Sequence, residues 1–213
     1  MTPTNIAVLS TLALKGGLEK SRAQLEQALG TRLELHFDAT QAILLRLAAG
    51  FRADLVVLTA EAMEELRQAG RVAQVRALGS SGVGVAVRAG APKPDIGSVE
   101  ALKRALEAAS SVAHSKVGAS GIYFAELLGR LQVTLKKRVV VEKGPVGLAV
   151  ARGEAELGVQ QLCELEPVRG IDIVGPLPAA VQRTTRFAAG VAADAPDPAA
   201  ARSLLERLPT IAT

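Results

Sequence analysis

The chain has 213 residues, a formal net charge of +4 and 49% hydrophobic residues, largely Ala, Val and Leu. This length allows one large or two small domains with buried cores, and the apolar content excludes a disordered chain. With no Trp, one Tyr and four Phe, the chain lacks the aromatic platforms on which nucleic-acid bases or sugar rings stack. The composition therefore favours a small polar ligand and argues against nucleic-acid binding.

The ends of the chain and its cysteine content bear on its compartment. No apolar run approaches the roughly 20 residues that span a bilayer, and no basic segment precedes the first apolar stretch. We expect no membrane insertion, and a cytoplasmic location for the sequence as written or a periplasmic one if a signal was omitted from it. The single cysteine, Cys163, excludes an intrachain disulfide and is interpreted as a small buried hydrophobe. Two histidines and one cysteine provide no metal-ligand cluster, so no metal or other cofactor is expected.

The first third of the chain alternates between strand and helix patterns. Short apolar or alternating segments predict strands, and segments with leucines at helical spacing predict helices. The expected order is strand 5–10, helix 14–29, strand 32–37, helix 40–50, strand 53–59 and helix 60–70. Such an alternation predicts a parallel sheet that is covered by helices on both faces.

A glycine-rich strand and a proline-containing loop at residues 79–98 predict that the chain leaves the first domain there. The following segments are expected to form a second α/β unit, and a long strand and a helix then return to the first. Their predicted order is helix 98–108, strand 111–114, helix 120–131, strand 139–142, helix 145–152, strand 156–160, an exit segment 171–178, strand 184–195 and helix 196–208. We predict two α/β sheets joined by two crossing strands, with a first lobe of residues 1–83 plus 180–213 and a second of residues 84–179.

Three segments combine a strand end with hydroxyl or small residues at a helix start: "LSTLALKGG", "FDATQ" and "VGASGIY". In open α/β sheets, ligands bind beyond the carboxyl ends of the strands, where helix N-termini attract anions. Serine and threonine also cap helices, so each segment alone has a structural explanation. Together they predict an anion site in a cleft between the two lobes. The small residues of "VGASG" suggest that the amides of Ser120 and Gly121 are left bare for the ligand.

Several segments resemble the molybdate-binding-like branch of periplasmic solute-binding proteins, the receptors of ABC importers. They are "GIYFAELL", "VARGEAELGVQQLCEL" and "VGPLPAAVQ", and the likeness extends from about Asn5 to Leu208. The resemblance implies a type II periplasmic-binding-protein fold with a hinged cleft that closes on a small anion. It further implies a monomer that delivers its ligand to a permease.

The resemblance also implies ligand-binding positions in the first lobe. The family's serine after the first strand falls on Ser10 or Thr11. Its second hydroxyl, which opens the helix after the second strand, falls on Thr40 because the preceding residue, Ala39, has no hydroxyl.

In the second lobe the implied positions are mainly backbone amides. They fall on Ser120, next to Gly121, and near Lys143 and Gly144, where the lysine is either a positive charge for the anion or a solvated side chain. The position of a tyrosine hydroxyl in molybdate receptors is taken by Gln161. Because an amide both donates and accepts whereas a deprotonated oxyanion only accepts, this replacement points to a carboxylate or another small anion.

Catalytic residues are not apparent in the sequence. His114 precedes the Ser120 loop and either contacts the ligand or bonds to the backbone, while Glu154 and Glu156 are interpreted as solvated charges in a turn. Because no acid and base are seen to converge, we expect a binding protein and not an enzyme. The alternative is a cytoplasmic enzyme or effector-sensing protein of the same fold.

Overall fold

The structure, a computed structural model, describes residues 5–116 and 118–211. Residues 1–4 and 212–213, which the sequence analysis assigns to the first lobe, and Val117 of the "VGASGIY" segment lie outside the described residues. The strands of the described part are β1 (Ile6–Thr11), β2 (Leu33–Asp38), β3 (Leu55–Thr59), β4 (Val72–Arg88), β5 (Val112–Ser115), β6 (Arg138–Val141), β7 (Leu157–Gln161), β8 (Ile171–Pro176) and β9 (Thr184–Ala192). The α-helices are α1 (Lys15–Leu29), α2 (Thr40–Ala48), α3 (Ala60–Gln68), α4 (Val99–Ala108), α5 (Ala119–Leu131), α6 (Val146–Ala151), α7 (Leu162–Leu165) and α8 (Pro198–Arg207). Short 3-10 helices lie at Leu12–Leu14 and Ala179–Val181.

The chain divides into two compact units. The first unit comprises Met1–Ser80 and Thr185–Thr213, and the second comprises Ser81–Thr184. The long strand β4 begins in the first unit and ends in the second, and β9 begins at the return from the second unit to the first. Strand β4 therefore contributes residues to both units, whereas all of β9 except Thr184 belongs to the first.

In the first unit the strand order is β2-β1-β3-β9-β4. Strand β1 pairs in parallel with β2 and with β3, whereas β9 pairs antiparallel with β3. The four apolar residues from Leu55 to Leu58 in β3 are fully buried. A strand covered on both faces has this continuous apolar sequence, because neither face meets water.

A buried aspartate ties the C-terminal helix to the first unit. Asp54 is 1% exposed, and one carboxylate oxygen accepts the amide N–H of Ala7 at 2.8 Å. The other oxygen accepts the amide N–H of Asp197, at the N-cap of α8, also at 2.8 Å. Because both oxygens bond to backbone amides, the buried carboxylate is satisfied, and it has a structural role.

In the second unit the order is β4-β7-β5-β6, and β8 pairs with β4 outside this path. Strand β5 is parallel to β6 and β7, whereas β4 runs antiparallel to β7 and β8. Helices α5 and α6 pack against β5 and β7. Apolar residues of α5, among them Phe124 and Leu127, form a core with Val159 of β7. This packing fixes the carboxyl ends of β5 and β7 beside the start of α5.

The predicted α/β class is confirmed, with two differences in detail. The sheets are mixed and not purely parallel, because β4 and β9 run against their neighbours. Residues 72–78, for which the sequence predicts no element, form the first half of β4. Most of this half is exposed or half-buried, so it lacks the apolar signal by which a strand is recognised in a sequence.

Candidate functional site

Polar residues of the first unit collect where its three parallel strands end. Strand β1 ends at Thr11, β2 at Asp38 and β3 at Thr59. In the strand register Ser10 lies beside Phe37 on one side and Val57 on the other. The carboxyl ends of these strands therefore form one edge of the sheet, which is where α/β proteins place ligands.

The hydroxyls of Ser10 and Thr11 already have backbone partners. Ser10 is fully buried, and its Oγ donates to the Thr11 carbonyl at 3.2 Å. The Thr11 Oγ1 accepts the N–H of Ala13 at 3.4 Å and so caps the short 3-10 helix. A hydroxyl that accepts one bond can still donate another. The cap therefore leaves the donor capacity of Thr11 available, and the ligand role of both residues stays a prediction.

Thr40 differs from Thr11 because it does not cap its helix. It is the first residue of α2, and the preceding N-cap residue, Ala39, makes no side-chain cap bond. The N–H of Ala39 donates to the Asp38 carboxylate at 2.9 Å. The first amides of a helix have no intrahelical acceptor, so Thr40 lies at an uncapped helix start.

Lys15, the first residue of α1, brings a positive charge to the same edge. Its Nζ lies 5.7 Å from the centre of the Phe37 ring, and Phe37 is the register neighbour of Ser10. The ion pair between Lys15 and Glu19 is long, at 3.7 Å, and both side chains are about half exposed. Exposed pairs of this kind contribute little, so the ammonium can bind another anion at small cost.

In the second unit, His114 occupies the corresponding position near the end of β5. It is 5% exposed, and its ring lies against Phe124 of α5 with 5.6 Å between ring centres. Its Nδ1 is 2.9 Å from the carbonyl oxygen of Ser115. Because a carbonyl can only accept, Nδ1 carries the proton and the lone pair of the neutral ring is on Nε2.

The Nε2 atom of His114 has no hydrogen-bond partner, and it is the only buried side-chain nitrogen or oxygen among residues 5–116 and 118–211 of which this is true. Burial lowers the pKa of His114 below its ordinary value. The Ser115 carbonyl opposes this shift, and the positive charge of Arg138 lowers the pKa further. A neutral imidazole with a free lone pair is a proton acceptor.

Gln161 ends β7 on the same face of the sheet as His114. His114 lies beside Val159 in the register, and Gln161 follows Val159 by two residues, which returns its side chain to the same face. Gln161 is 4% exposed, and its Oε1 lies 3.6 Å from the Cys163 Sγ. The structure thus places the predicted Gln161 and the histidine on one sheet face, at the strand ends.

A second polar network lies on the opposite face of this sheet. The Gln160 Oε1 accepts the N–H of Val146 at 2.7 Å, and its Nε2 donates to Glu164 at 2.8 Å. Burial raises the pKa of Glu164 to about 7, although the bond from Gln160 opposes the shift. Alternate residues of a strand face opposite sides, so this carboxyl does not share a face with His114.

The structure corrects the prediction about Gly121. Its N–H is not bare, because it donates to the Gly118 carbonyl at 2.9 Å. A Cβ on Gly121 would overlap the carbonyl of Ser115, so glycine is required here by the close approach of α5 to the end of β5. Ser120, 3% exposed, lies in the first turn, and its role in ligand binding stays a prediction.

The remaining predicted positions lie in an exposed loop. Lys143 and Gly144 follow β6 and precede α6, and both are exposed. Gly144 has a φ of +86°, which glycine adopts without strain. In the structure these two residues form the turn between β6 and α6. Their contacts with a ligand stay predictions.

The other reactive side chains have structural explanations. Burial raises the pKa of the Cys163 thiol to about 12, so the thiolate that a nucleophile needs is not formed at neutral pH. Glu156 accepts bonds from the amide and hydroxyl of Ser110 at 2.7 and 2.6 Å, and Glu154 pairs with Arg152 at 2.7 Å. Among residues 5–116 and 118–211, no group of three or more His, Cys, Asp and Glu is placed to hold a metal ion.

Two further polar residues, Thr59 and His114, lie at or near the strand ends. Thr59 ends β3 and caps α3 through the N–H of Ala62 at 3.4 Å. The signal was present in "LVVLTAEAM", which has the same strand-hydroxyl-helix order as the segment around Ser10. The sequence permits two roles for His114, because its unpartnered nitrogen depends on packing against Phe124.

Comparison with known proteins gives the family. The model of the bacterial extracellular solute-binding protein family matches residues 6–210, and the chain belongs to this family. The fold is similar to that of the periplasmic molybdate-binding protein of Azotobacter vinelandii, with a TM-score of 0.73, 17% identity and coverage of 95% of this chain and 92% of that one. It is also similar to the effector binding domain of a BenM variant, with a TM-score of 0.60, 18% identity and coverage of 95% and 91%. These likenesses confirm the predicted type II periplasmic-binding-protein-like fold, and at such identity they show the fold alone.

A relative of known activity corrects the prediction that the protein is not an enzyme. The chain is 40% identical, over 216 aligned positions, to an aconitate isomerase of a Pseudomonas species, with coverage of 96% of this chain and 82% of that protein. The prediction rested on the lack of a visible acid and base in the sequence. Whether a buried histidine can accept a proton depends on its surroundings in the fold, which the sequence does not show. No helix among the described residues has both the length and the apolar character needed to cross a membrane.

Proposed function

We propose that the protein is an isomerase that moves the double bond of a small unsaturated polycarboxylate, with His114 as the proton acceptor. The observation that carries the proposal is the buried, neutral imidazole whose Nε2 has no partner. An unpaired buried acceptor costs about 1–3 kcal/mol, and such a cost is expected where the group serves a reaction. The 40% identical aconitate isomerase supports the choice of reaction.

The chemistry of aconitate requires little more than a base. Aconitate is a propene that carries three carboxylates, with one vinyl and one methylene carbon. When Nε2 of His114 takes a methylene proton, the electron pair of the C–H bond spreads over the three-carbon chain and its carboxylates. The imidazolium then returns the proton to the former vinyl carbon, and the double bond ends between the other two carbons. One proton leaves and one arrives, no electrons are gained or lost, and the geometry of the new double bond decides which isomer forms.

Recognition of the carboxylates requires donors and positive charge. In the first unit we assign this role to the hydroxyls of Ser10, Thr11 and Thr40 and to the ammonium of Lys15. Lys15 lies at the strand-end edge through its contact with Phe37. Hydrogen bonds to charged groups contribute about 1.5–3 kcal/mol each, so a few such contacts suffice for binding.

In the second unit, Gln161 and Ser120 are proposed to bind the substrate beside His114. The side-chain amide of Gln161 can donate to a carboxylate, and Ser120 lies in the first turn of α5, where the helix dipole favours an anion. Lys143 and Gly144 are proposed as exposed contacts that add positive charge and one amide donor. Gly121 contributes by allowing the helix to approach, not by donating.

A second candidate function is that of a solute receptor that delivers a small anion to an ABC importer. The family match and the likeness to a molybdate-binding protein favour it, as would a location outside the cytoplasm. An effector-sensing role is supported only by the likeness in fold to the effector binding domain of a BenM variant. Both alternatives require binding without chemical change in the ligand.

The experiment that separates these functions follows trans-aconitate by proton NMR in D2O with the purified protein. An isomerase converts it to the cis isomer and, when the base exchanges with solvent, introduces deuterium at carbon. A receptor binds it, seen as a rise in melting temperature, and leaves the spectrum unchanged. Molybdate is tested in the same thermal assay. Stabilisation by molybdate without effect of aconitate would contradict the isomerase and support the receptor.

A further inference from the structure

Two arginines converge on Tyr123, which lies three residues after Ser120 on α5. The Nη2 of Arg130 donates to the hydroxyl oxygen of Tyr123 at 3.0 Å, and its Cζ lies 5.5 Å from the ring centre. The Cζ of Arg183 also lies 5.5 Å from this ring centre. The two guanidinium carbons are therefore no farther apart than twice that distance, and both charges are held near one aromatic face or edge.

The tyrosine between them is fixed. Tyr123 is 7% exposed and belongs to the core of the second unit. Its hydroxyl donates to the Val181 carbonyl at 2.6 Å while it accepts from Arg130. Both the donor and one acceptor position of the hydroxyl are used, which holds the ring in place and gives the Arg130 guanidinium a fixed partner.

The backbone of Arg183 is anchored as well. Its N–H donates to Gln182 Oε1 at 2.9 Å, and its carbonyl accepts the N–H of Val83 at 3.3 Å. The Gln182 amide also bonds the N–H and the carbonyl of Val83, at 2.8 and 3.0 Å. The segment that carries Arg183 is thus held against β4. This reduces the conformational entropy that the segment would lose when a ligand binds.

Neither arginine makes an ion pair with a carboxylate among residues 5–116 and 118–211. Glu126 lies four residues before Arg130 on α5, a spacing at which helical pairs form, yet the guanidinium bonds to Tyr123. The helix dipole favours a cation in the last turn, and this explains Arg130 alone. Arg183 is not on a helix, so the dipole gives no reason for a second positive charge at this point.

We propose that Arg130 and Arg183 form a second anion site, which binds a carboxylate of a free di- or tricarboxylic acid. A guanidinium presents paired N–H donors that match the two oxygens of a carboxylate, and two guanidiniums match an acid with more than one carboxylate. The site is separate from the strand-end donors. Its two arginines lie on other segments, because Arg130 is in the last turn of α5 and Arg183 immediately precedes β9.

The chain provides its own reporter for this site, because Tyr123 is its only tyrosine and it has no tryptophan. Citrate titrated at constant ionic strength, with sodium chloride as the compensating salt, should change the tyrosine emission saturably. The double variant Arg130→Gln/Arg183→Gln should lose this change, and each single variant should weaken it on the order of tenfold. His114→Asn and Lys15→Met, which alter the proposed strand-end site, should retain it.

Equilibrium dialysis with radiolabelled citrate counts the sites independently of emission. If both sites exist, the parent binds two citrates per chain and the double variant binds one. If the parent binds one citrate and the double variant binds none, the arginine site is supported. The same result would contradict binding of citrate at the strand ends. Equal stoichiometry in the parent and the double variant, or an emission change that survives in the double variant, would overturn the proposal. A saturable change produced equally by chloride would do the same, and binding of an acidic protein without any binding of citrate would reassign the arginines to a protein interface.

Discussion

Replacement of His114 by Asn tests the proposed base while it keeps the local hydrogen bond. The amide nitrogen of asparagine occupies nearly the position of Nδ1 and can donate to the Ser115 carbonyl, which lies 2.9 Å from Nδ1 in the parent. The variant lacks any group at the position of Nε2, the unpartnered acceptor. It therefore removes the proposed proton acceptor without removing the contact that orients the side chain.

The expected losses in rate and in stability differ in size. A positioned general base contributes about 10²–10⁴-fold to rate, so kcat should fall by that factor, or about 3–5 kcal/mol in the barrier. The ring contact with Phe124 is lost, at a cost of about 0.5–1.5 kcal/mol. Removal of an unpartnered acceptor returns about 1–3 kcal/mol. Because these two terms oppose each other, the free energy of unfolding should change by no more than about 2 kcal/mol.

The assay combines initial rates of aconitate isomerisation, measured by NMR, with urea unfolding followed by circular dichroism. His36, the other histidine of the chain, provides the matched control, because it pairs with the exposed Glu34 at 2.9 Å. His36→Asn should leave kcat unchanged. A His114→Asn variant that stays folded and keeps its rate within about threefold would refute the assignment of the base.

The pH dependence gives a second check on His114. Burial lowers its pKa below the ordinary value, so the neutral base should be present throughout the neutral range, and kcat/KM should fall only in acid. The unfolded chain takes up the proton at higher pH than the folded protein does. The free energy of unfolding should therefore decrease as the pH falls below about 6.5, the value of an unperturbed histidine, and this decrease should be smaller in His114→Asn.

Three further outcomes follow from the packing, the buried carboxyl and the helix starts. Gly121→Ala should lower the free energy of unfolding by at least about 1–3 kcal/mol, because its Cβ would overlap the carbonyl at the end of β5. Gly129→Ala on the same helix, where nothing lies within 4 Å of the new Cβ, should be neutral or stabilising by up to about 1 kcal/mol; equal effects in urea unfolding would contradict the close approach. The pKa of Glu164 is raised from 4.5 to about 7, so the parent should lose up to about 3 kcal/mol of stability as the pH rises through this range. Glu164→Gln should abolish that loss, and a parent whose unfolding free energy is flat between these pH values would exclude the shift. Thr40→Ala should weaken aconitate binding, measured by calorimetry, by on the order of 1 kcal/mol without a change in melting temperature. Thr59→Ala removes the α3 cap and should instead lower the stability measured by thermal unfolding, by about 1 kcal/mol.

The local alternation of apolar and polar residues was sufficient to predict the α/β class. The strand β3 and the helix α3, for example, follow directly from "ADLVVLT" and "AEAMEELRQAG". This works because the period of a burial pattern is a property of the local backbone, two residues in a strand and 3.6 in a helix. The strand-end hydroxyls could be found in the same way, since a strand end followed by a helix start is visible within a few residues.

The tertiary structure alone decided which polar groups are satisfied. Gly121 looked like a free amide in the sequence, yet its N–H bonds to Gly118 and its missing side chain makes room for Ser115. In the sequence His114 had two possible roles, a ligand contact or a bond to the backbone, and its unpartnered nitrogen results from burial against Phe124. These partners depend on the folded geometry of the turn from β5 into α5 and on the packing of α5 against the sheet, whereas a sequence pattern records only whether a residue is buried. The candidate base was therefore invisible until β5, β7 and α5 were packed together.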